Sequence, residues 1–244
     1  MSKPLVSILI PFKNTEDFIV ECLNSILSQT YQNWEVIAVD DHSTDSGQKI
    51  VEDFSQKNQR IKVYKNSGNG IIEALRFAYS KSKGRFITRM DADDIMAVSK
   101  LKVLVESLLK YGKGHLAIGQ IKYFSGRGIS DGYARYEKWL NELTKNGSNY
   151  SEIYKECVIP SPCWMTLRED FDLTKPIAFK VGVKIDDFGT KFSLKKIESL
   201  KEAKTEKLKK GKKVEKVQAP LNVAIEFSED DKIIYELFNI ISQN

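Results

Sequence analysis

Cysteine and histidine are scarce in this chain, and their scarcity limits the metal and redox chemistry that it can carry. Its 244 residues include 3 cysteines and 2 histidines. Cys22, Cys157 and Cys163 show no C-x-x-C spacing, which argues against both a disulfide framework and a structural zinc site. We therefore expect buried free thiols in a reducing, cytoplasmic compartment.

Long apolar runs are also missing. No stretch approaches the ~18 consecutive apolar residues of a transmembrane helix. The opening string MSKPLVSILIPF is a short apolar run without a small-residue cleavage site, so it predicts a first strand rather than a signal peptide. With 41% hydrophobic and 29% charged residues, the chain is long enough and apolar enough to bury a core.

Positive charge is concentrated in one segment. The chain has a formal net charge of +5, whereas residues 195–216 hold 10 Lys and 4 Glu, a net of +6, which leaves −1 for the remainder. This local basicity argues against nucleic acid as a partner. The segment is either a solvated helix face or a peripheral contact with an anionic membrane surface.

The first part of the chain alternates between strand-like and helix-like segments. Apolar, β-branched runs at 5–10, 34–39, 61–64, 85–88 and 116–124 are separated by segments with helical spacing. In the first of these, Phe18 and Ile19 belong to one apolar stripe, and Asn14 or Thr15 is the expected N-cap. The alternation predicts an α/β fold with a doubly wound, mostly parallel sheet flanked by helices.

The second part is less regular. YARYEKWLNELTK predicts an amphipathic helix, and VIPSPCWMTL predicts a loop that enters a strand because its prolines favour extended neighbours. From residue 172 onward the alternation ends, and DDKIIYELFNIISQ predicts a terminal helix beyond the Lys-rich segment.

Polar clusters follow three of the predicted strands, where parallel sheets bind ligands. In DADD, the D-x-D spacing puts Asp91 and Asp93 on one side of the backbone, as ligands of Mg²⁺ or Mn²⁺. Asp94 points elsewhere and is a candidate cap for a helix beginning near Ser99. The alternative is a solvated acidic turn.

In DDHSTD, the acidic residues are Asp40, Asp41 and Asp45. A carboxylate here can accept hydrogen bonds from a nucleotide base or ribose. Alternatively, Ser43 or Thr44 simply caps the next helix. The third cluster, NSGNG, matches neither a Walker loop nor a dinucleotide fingerprint and by itself indicates only a turn.

Taken in order, VSILIPFKNTEDFIVECLNSILSQTYQNWEVIAVDDHSTD and GIIEALRFAYSKSKGRFITRMDADD resemble the nucleotide-sugar-binding half of family 2 glycosyltransferases, which have the GT-A fold. The resemblance implies three regions: a nucleotide-sugar-binding half over residues 1–125, an acceptor-side half over 126–194, and a divergent Lys-rich and helical extension over 195–244. It further implies that Asp41 contacts the base with support from Asp40, and that Asp91 and Asp93 contact ribose and a Mn²⁺ or Mg²⁺ ion. Residues implied to line the nucleotide pocket are Pro11, Phe12 and Lys13.

The family's catalytic base is an Asp in an acidic pair followed by an aromatic residue, and here the chain departs from the usual strings. KIDDFGTKF offers Asp186 and Asp187 before Phe188, with Asp187 lying 94 residues after Asp93 (187 − 93). REDFDL offers Glu169 and Asp170 instead. We favour Asp187, because REDFDL follows PCWMTL too closely.

The resemblance implies a metal-dependent, inverting glycosyltransferase. Its donor would be a nucleotide sugar, UDP- or GDP-linked, and its acceptor a glycan or a lipid-linked hydroxyl. Trp164 either stacks on the acceptor sugar or belongs to the core. Two alternatives are a nucleotidyltransferase and a non-catalytic relative that binds nucleotide, docks on a membrane and has lost the base.

Overall fold

The computed structural model describes residues 3–125, 128–152 and 157–173. Within these ranges one sheet of six strands has the order β3-β2-β1-β4-β6-β5. The strands are β1 (Val6–Phe12), β2 (Trp34–Asp40), β3 (Ile61–Lys65), β4 (Phe86–Arg89), β5 (Leu116–Ile118) and β6 (Trp164–Leu167).

Five complete α-helices connect or flank these strands, and residues 168–173, at the end of the described part of the chain, are also helical. The five are α1 (Ile19–Leu27), α2 (Gly47–Lys57), α3 (Ile71–Lys81), α4 (Lys100–Tyr111) and α5 (Asp131–Asn146). Short 3₁₀ turns lie at Asn149–Glu152 and Ser161–Cys163. None of the described helices combines the length and the hydropathy needed to span a bilayer.

The pairing is mostly parallel, as predicted. β1 pairs in parallel with β2 and β4, and β2 pairs in parallel with β3. β6 runs antiparallel between β4 and β5. As a result, the carboxyl ends of β1 to β4 lie at one edge of the sheet, where ligand sites of such folds form.

Helices cover both faces of the sheet. Every residue of β1 and β2 is buried, which explains why both read as continuous apolar runs rather than alternating ones. One core layer packs Ile8 and Ile10 against α1, α2 and α4, and the other packs Leu9 and Ile37 against α3 and α5. The predicted doubly wound α/β fold is confirmed.

The start of α1 differs from the prediction. The helix begins at Ile19, and Phe18 is 52% exposed instead of joining the buried stripe. Asn14 does not cap the helix, because it has a left-handed φ of 51° and its side chain accepts a hydrogen bond from Thr44 N at 2.8 Å. The side-chain amide of Asn14 joins the loop after β1 to the loop after β2, so it is not available to cap α1, which begins at Ile19.

The predicted strand at 116–124 is also too long. β5 ends at Ile118. Beyond it, the backbone of Ile121 bonds to the side chain of Asn141 in α5 and not to a neighbouring strand: Asn141 accepts from the Ile121 N–H at 2.9 Å and donates to its carbonyl at 2.8 Å. The predicted helix and the strand after VIPSPC are confirmed as α5 and β6. Residues 174–244, with Asp186, Asp187, the Lys-rich segment and the expected terminal helix, lie outside the described residues.

Candidate active site

The loops that follow β1, β2, β3 and β4 meet at the carboxyl edge of the sheet. Backbone hydrogen bonds extend the strand pairing into these loops, from Asp41 N to the carbonyl of Phe12 and from Met90 N to that of Leu9, at 2.8 and 3.0 Å. Pro11 and Phe12 are buried beneath this edge, and Lys13 is exposed on it. The predicted pocket residues and both acidic clusters are therefore neighbours in space.

The loops after β1 and β2 interlock through polar side chains. Asn14 N donates to Ser43 Oγ at 3.1 Å, and Glu16 N donates to Asp45 Oδ2 at 2.8 Å. Asp45 also accepts from Gly47 N at 2.9 Å. Ser43 and Thr44 do not cap α2, since the N-cap residue of that helix is Ser46 and it makes no side-chain cap bond. Asp45 thus fixes the loops rather than facing a ligand.

Asp40 and Asp41 are buried at the end of β2. Asp40 Oδ1 accepts from Ser43 N at 3.0 Å, which ties its carboxylate to the following turn. Asp41 Oδ1 accepts two hydrogen bonds, from Asn66 Nδ2 at 2.7 Å and from Gly70 N at 2.9 Å. Among the described residues nothing donates to Asp41 Oδ2, and that atom is not sealed from solvent. One oxygen is anchored by the protein, and the other keeps some contact with solvent.

Asn66 is a functional candidate that the sequence reasoning missed. It is 4% exposed, and its N–H donates to the carbonyl of Asp40 at 2.8 Å. Its side-chain oxygen accepts from Gly68 N at 3.1 Å, so the residue organises the whole loop before α3. The only sequence signal was an amide residue directly after β3, in a string that indicates just a turn.

The acidic cluster Asp91, Asp93 and Asp94 follows β4. Arg89 Nε donates to Asp91 Oδ1 at 2.8 Å in a largely buried ion pair that sequence reasoning also missed. Asp94 does not cap α4, whose N-cap residue, Ser99, has no side-chain cap bond. Burial, reinforced by the charges of Asp91 and Asp93, raises the pKa of Asp94 to about 6.

Helix α1 and the turn that follows it fix the segment that carries this cluster. Gln29 is fully buried, and its side-chain amide donates to the carbonyl of Ala97 at 2.8 Å and accepts from Leu101 N at 3.1 Å. The thiol of Cys22 donates to the carbonyl of Asp91 at 3.5 Å. Burial, then the charge of Asp94, raises the pKa of Cys22 to about 12, which leaves an inert thiol, as expected.

Lys100 joins the acidic segment to the chain that precedes β6. Its ammonium donates to the carbonyl of Pro162. Burial lowers its pKa, while the nearby negative charge of Asp94 opposes that shift. Cys163, whose pKa burial raises to about 11, is a second unreactive thiol at this point.

The acidic cluster has the chemistry of a site for a hard divalent cation. Across the described ranges no group of three or more Asp, Glu, His or Cys side chains forms a complete metal cage. Mg²⁺ and Mn²⁺ sites that bind nucleotides need only one or two carboxylates, because phosphate oxygens and water complete the shell. Burial first, and then the negative charges of Asp91 and Asp93, raise the pKa of Asp94, so three carboxylates lie close enough together to interact. Asp91 and Asp93 therefore fit such an ion.

The alternative base, Asp170, lies at the opposite edge of the sheet. β6 is antiparallel to β4, and Arg168 N donates to the carbonyl of Arg85, just before β4 begins. Asp170 is 2% exposed and accepts from Gly114 N at 3.0 Å, in the turn before β5. Its carboxylate therefore belongs to a structural turn and cannot face a ligand at the acidic cluster.

Trp164 lies at the carboxyl edge but its side chain is in the core. Its indole is 3% exposed and stacks on Phe171 with ring centroids 6.1 Å apart. Its carbonyl accepts from Thr88 Oγ1 at the end of β4. Of the two interpretations of this residue, the burial favours a core role.

A mostly parallel, doubly wound sheet flanked by helices is an α/β fold of the GT-A type. The sequence profile of Glycosyl transferase family 2 matches residues 7–173, more than half of the chain. The chain belongs to this family.

Bacterial glycosyltransferases match part of the chain. WfgD of Escherichia coli, a UDP-Glc:alpha-D-GlcNAc-diphosphoundecaprenol beta-1,3-glucosyltransferase, is 34% identical over 60% of this chain and 57% of its own. Glycosyltransferase GlyG of Streptococcus pneumoniae is 37% identical over 43% of this chain and 35% of its own. The chain thus spans about a third of one relative's length and somewhat over half of the other's.

Solved structures share the fold. S. aureus TarS, in complex with UDP, has a TM-score of 0.53 at 25% identity, covering 70% of this chain and 48% of its own. The mannosyltransferase PcManGT from Pyrobaculum calidifontis, in complex with GDP-Man and Mn²⁺, has a TM-score of 0.56 at 21% identity, covering 72% and 47%. The second likeness concerns the fold alone.

Proposed function

We propose that this protein transfers a sugar from a nucleotide-sugar donor to an acceptor hydroxyl, with inversion and with the help of a divalent cation. The observation that carries the proposal is the position of Asp41 and the Asp91–Asp93 pair. They follow β2 and β4, the two strands that flank β1, at one edge of the sheet. A nucleoside diphosphate bound across the end of β1 would have Asp41 beside its base and the metal ligands Asp91 and Asp93 beside its phosphates.

Each described residue has a distinct part in donor binding. Asp41 accepts a hydrogen bond from the base, Asp40 holds the turn behind it, and Lys13 lies exposed at the mouth of the pocket. Pro11 and Phe12 form its floor. Asp91 and Asp93 would hold Mn²⁺ or Mg²⁺, which when bound neutralises charge on the departing diphosphate.

The acceptor chemistry is assigned to the second half of the chain. Asp187, supported by Asp186, accepts the proton of the acceptor hydroxyl. The hydroxyl oxygen attacks the anomeric carbon from the side opposite the diphosphate, and the nucleoside diphosphate leaves. The location of Asp170 at the far edge of the sheet supports this choice over the REDFDL string.

The acceptor is a glycan or a lipid-linked sugar. Support comes from WfgD, whose name specifies a diphosphoundecaprenol-linked acceptor. The Lys-rich segment at 195–216 would bring the site to the inner face of the membrane, where such acceptors lie. On this proposal the protein works in the cytoplasm as a peripheral enzyme.

Incubating the protein with a panel of UDP- and GDP-linked sugars and Mn²⁺ tests the proposal through release of nucleoside diphosphate. We expect release with at least one donor, and its loss on chelation of the metal. A protein that binds donor but releases nothing would instead be the non-catalytic relative. The observation that favours this second candidate is that the sequence after residue 173 lacks the usual motif strings of the family.

A further inference from the structure

We propose that the donor pocket selects uracil over guanine, and that Asn66 sets this selectivity by occupying one oxygen of Asp41. The inference rests on the proposed function and specifies its donor as a UDP-sugar. It depends on how the hydrogen-bonding capacity of a single carboxylate is divided between the protein and the base.

Asp41 has one committed and one free oxygen. Oδ1 accepts from Asn66 Nδ2 at 2.7 Å and from Gly70 N at 2.9 Å, so both of its lone pairs are in use. Oδ2 has no donor among the described residues and is accessible. The carboxylate can therefore offer the base one acceptor atom and not two.

The hydrogen bonds that occupy Asp41 Oδ1 are themselves fixed by the surrounding loop. Asn66 is itself fixed at both ends of its amide, since Oδ1 accepts from Gly68 N at 3.1 Å and Nδ2 also lies 3.3 Å from the carbonyl of Gly70. Gly70 has a φ of 89°, a conformation that glycine adopts without strain and that aims its N–H at Asp41. Asn66 is 4% exposed and its hydrogen bond to Asp41 is buried, so water does not easily replace that bond.

Uracil and guanine differ in the number of donors that they present. Uracil has a single N–H, at N3, between two carbonyls, and one carboxylate oxygen satisfies it. Guanine presents the N1–H and an amino N–H side by side, and a carboxylate binds that pair through both oxygens. With Asp41 Oδ1 already doubly bonded, one guanine donor would be buried without a partner, a cost that weakens binding by roughly tenfold to a hundredfold.

Calorimetry on the full chain with Mn²⁺ and with UDP, GDP or CDP tests the preference. We expect GDP to bind at least about tenfold more weakly than UDP. CDP should also bind weakly, because its unprotonated N3 would face a carboxylate. GDP binding as tightly as UDP would overturn the inference while leaving the proposed function intact, whereas failure of all three to bind would overturn both.

Two variants separate base reading from a merely structural role. Asn66→Ala frees a lone pair of Asp41 Oδ1, so the ratio of UDP to GDP affinity should fall several-fold. The matched control is Asn69→Ala, which removes an exposed amide from the same loop and should leave the ratio unchanged. An unchanged ratio in the Asn66 variant would contradict its assigned role.

Asp41→Asn provides a test that does not depend on loosening the loop. Because Asn66 and Gly70 both donate, the new amide oxygen takes the anchored position and its NH₂ faces the base. That donor matches N3 of cytosine and repels the N3–H of uracil, so the ratio of CDP to UDP affinity should rise. An equal loss for all three nucleotides would show that Asp41 supports the loop without reading the base.

Discussion

Arg89 Nε donates to Asp91 Oδ1 at 2.8 Å, and this ion pair joins the last residue of β4 to the first carboxylate of the acidic cluster. Their side chains are 11% and 27% exposed, so the pair is screened less than one on the surface. In the metal-free protein Arg89 partly balances the cluster Asp91, Asp93 and Asp94. A bound cation would have to share Asp91 with it.

Replacing Arg89 with Met should tighten the binding of Mn²⁺ in the absence of nucleotide. The substitution removes a positive charge beside the proposed metal ligands, and about 1 kcal/mol less repulsion corresponds to roughly fivefold in affinity. Titration followed by the electron paramagnetic resonance of free Mn²⁺ measures the change. Arg85→Met, at an exposed position just before the same strand begins, is the control and should have no effect. Equal affinities in both variants would place the metal elsewhere.

Asp93→Ala should abolish the metal-dependent part of nucleoside diphosphate binding. Asp93 is exposed beside Asp91, so its removal leaves the fold intact and takes away a ligand that the diphosphate cannot replace. Calorimetry with and without Mn²⁺ isolates this part of the affinity. Asp53→Ala, on the solvent side of α2, controls for the loss of one negative charge. If the Asp93 variant still responded to Mn²⁺ as the parent does, the metal assignment would fail.

The pKa of Asp94 makes a prediction about stability in the metal-free protein. Because folding raises this pKa to about 6, the native state binds the proton more tightly, and stability falls as pH rises from about 4 toward 6. Asp94→Asn should remove that fall and stabilise the protein at neutral pH by about 1 kcal/mol, allowing for solvent screening. Urea unfolding with a chelator at several pH values measures the difference. Parallel pH profiles for parent and variant would contradict it.

Gln29→Leu should destabilise the protein and loosen the acidic segment. Its amide satisfies the partly buried carbonyl of Ala97 and the buried N–H of Leu101, and leaving the buried group unpaired costs roughly 1–3 kcal/mol. Denaturant midpoints measure this loss, and Gln56→Leu, at an exposed position of α2, is the matched control. A Gln29 variant as stable as the control would mean that water replaces the amide.

Most of the sheet could be predicted from the sequence because its signals are local. The runs in β1 and β2 are apolar throughout, since both faces of a central parallel strand are buried, and the acidic clusters stand directly after strands. The ends of β5 and α1 could not be predicted. Both depend on amides, Asn141 and Asn14, that bond to segments distant in sequence.

The candidate site was predictable only in its carboxylates. Asp41 and Asp91 stand out as charges at strand ends, but the residues that determine what they can do are their partners, Asn66 and Arg89. A lone asparagine in a turn and an arginine ending a strand have many ordinary roles. The pairing of β2 with β3 brings Asn66 to Asp41, and the fold at the end of β4 directs the Arg89 side chain to Asp91, and neither contact is evident from the residue types alone.

Asp187 and Asp170 give the sharpest comparison in the second half of the chain. Asp187→Asn keeps the size of the side chain but cannot accept a proton at neutral pH, so turnover should fall by roughly 10²–10⁴. Donor affinity should hardly change, because the base faces the acceptor. Asp170→Asn should leave turnover unchanged, since Asp170 accepts from Gly114 N at the far edge of the sheet.

Single-turnover measurements with a saturating donor, together with donor affinity by calorimetry, distinguish the outcomes. Burial raises the pKa of Asp170, and no described residue donates to its Oδ1, so Asp170→Asn relieves the cost of a buried charge and should change thermal stability instead. If the Asp170 variant lost turnover while the Asp187 variant kept it, REDFDL would carry the base despite its place in the sheet. If neither lost turnover, the proton would be taken by another group and the role given to Asp187 would be wrong.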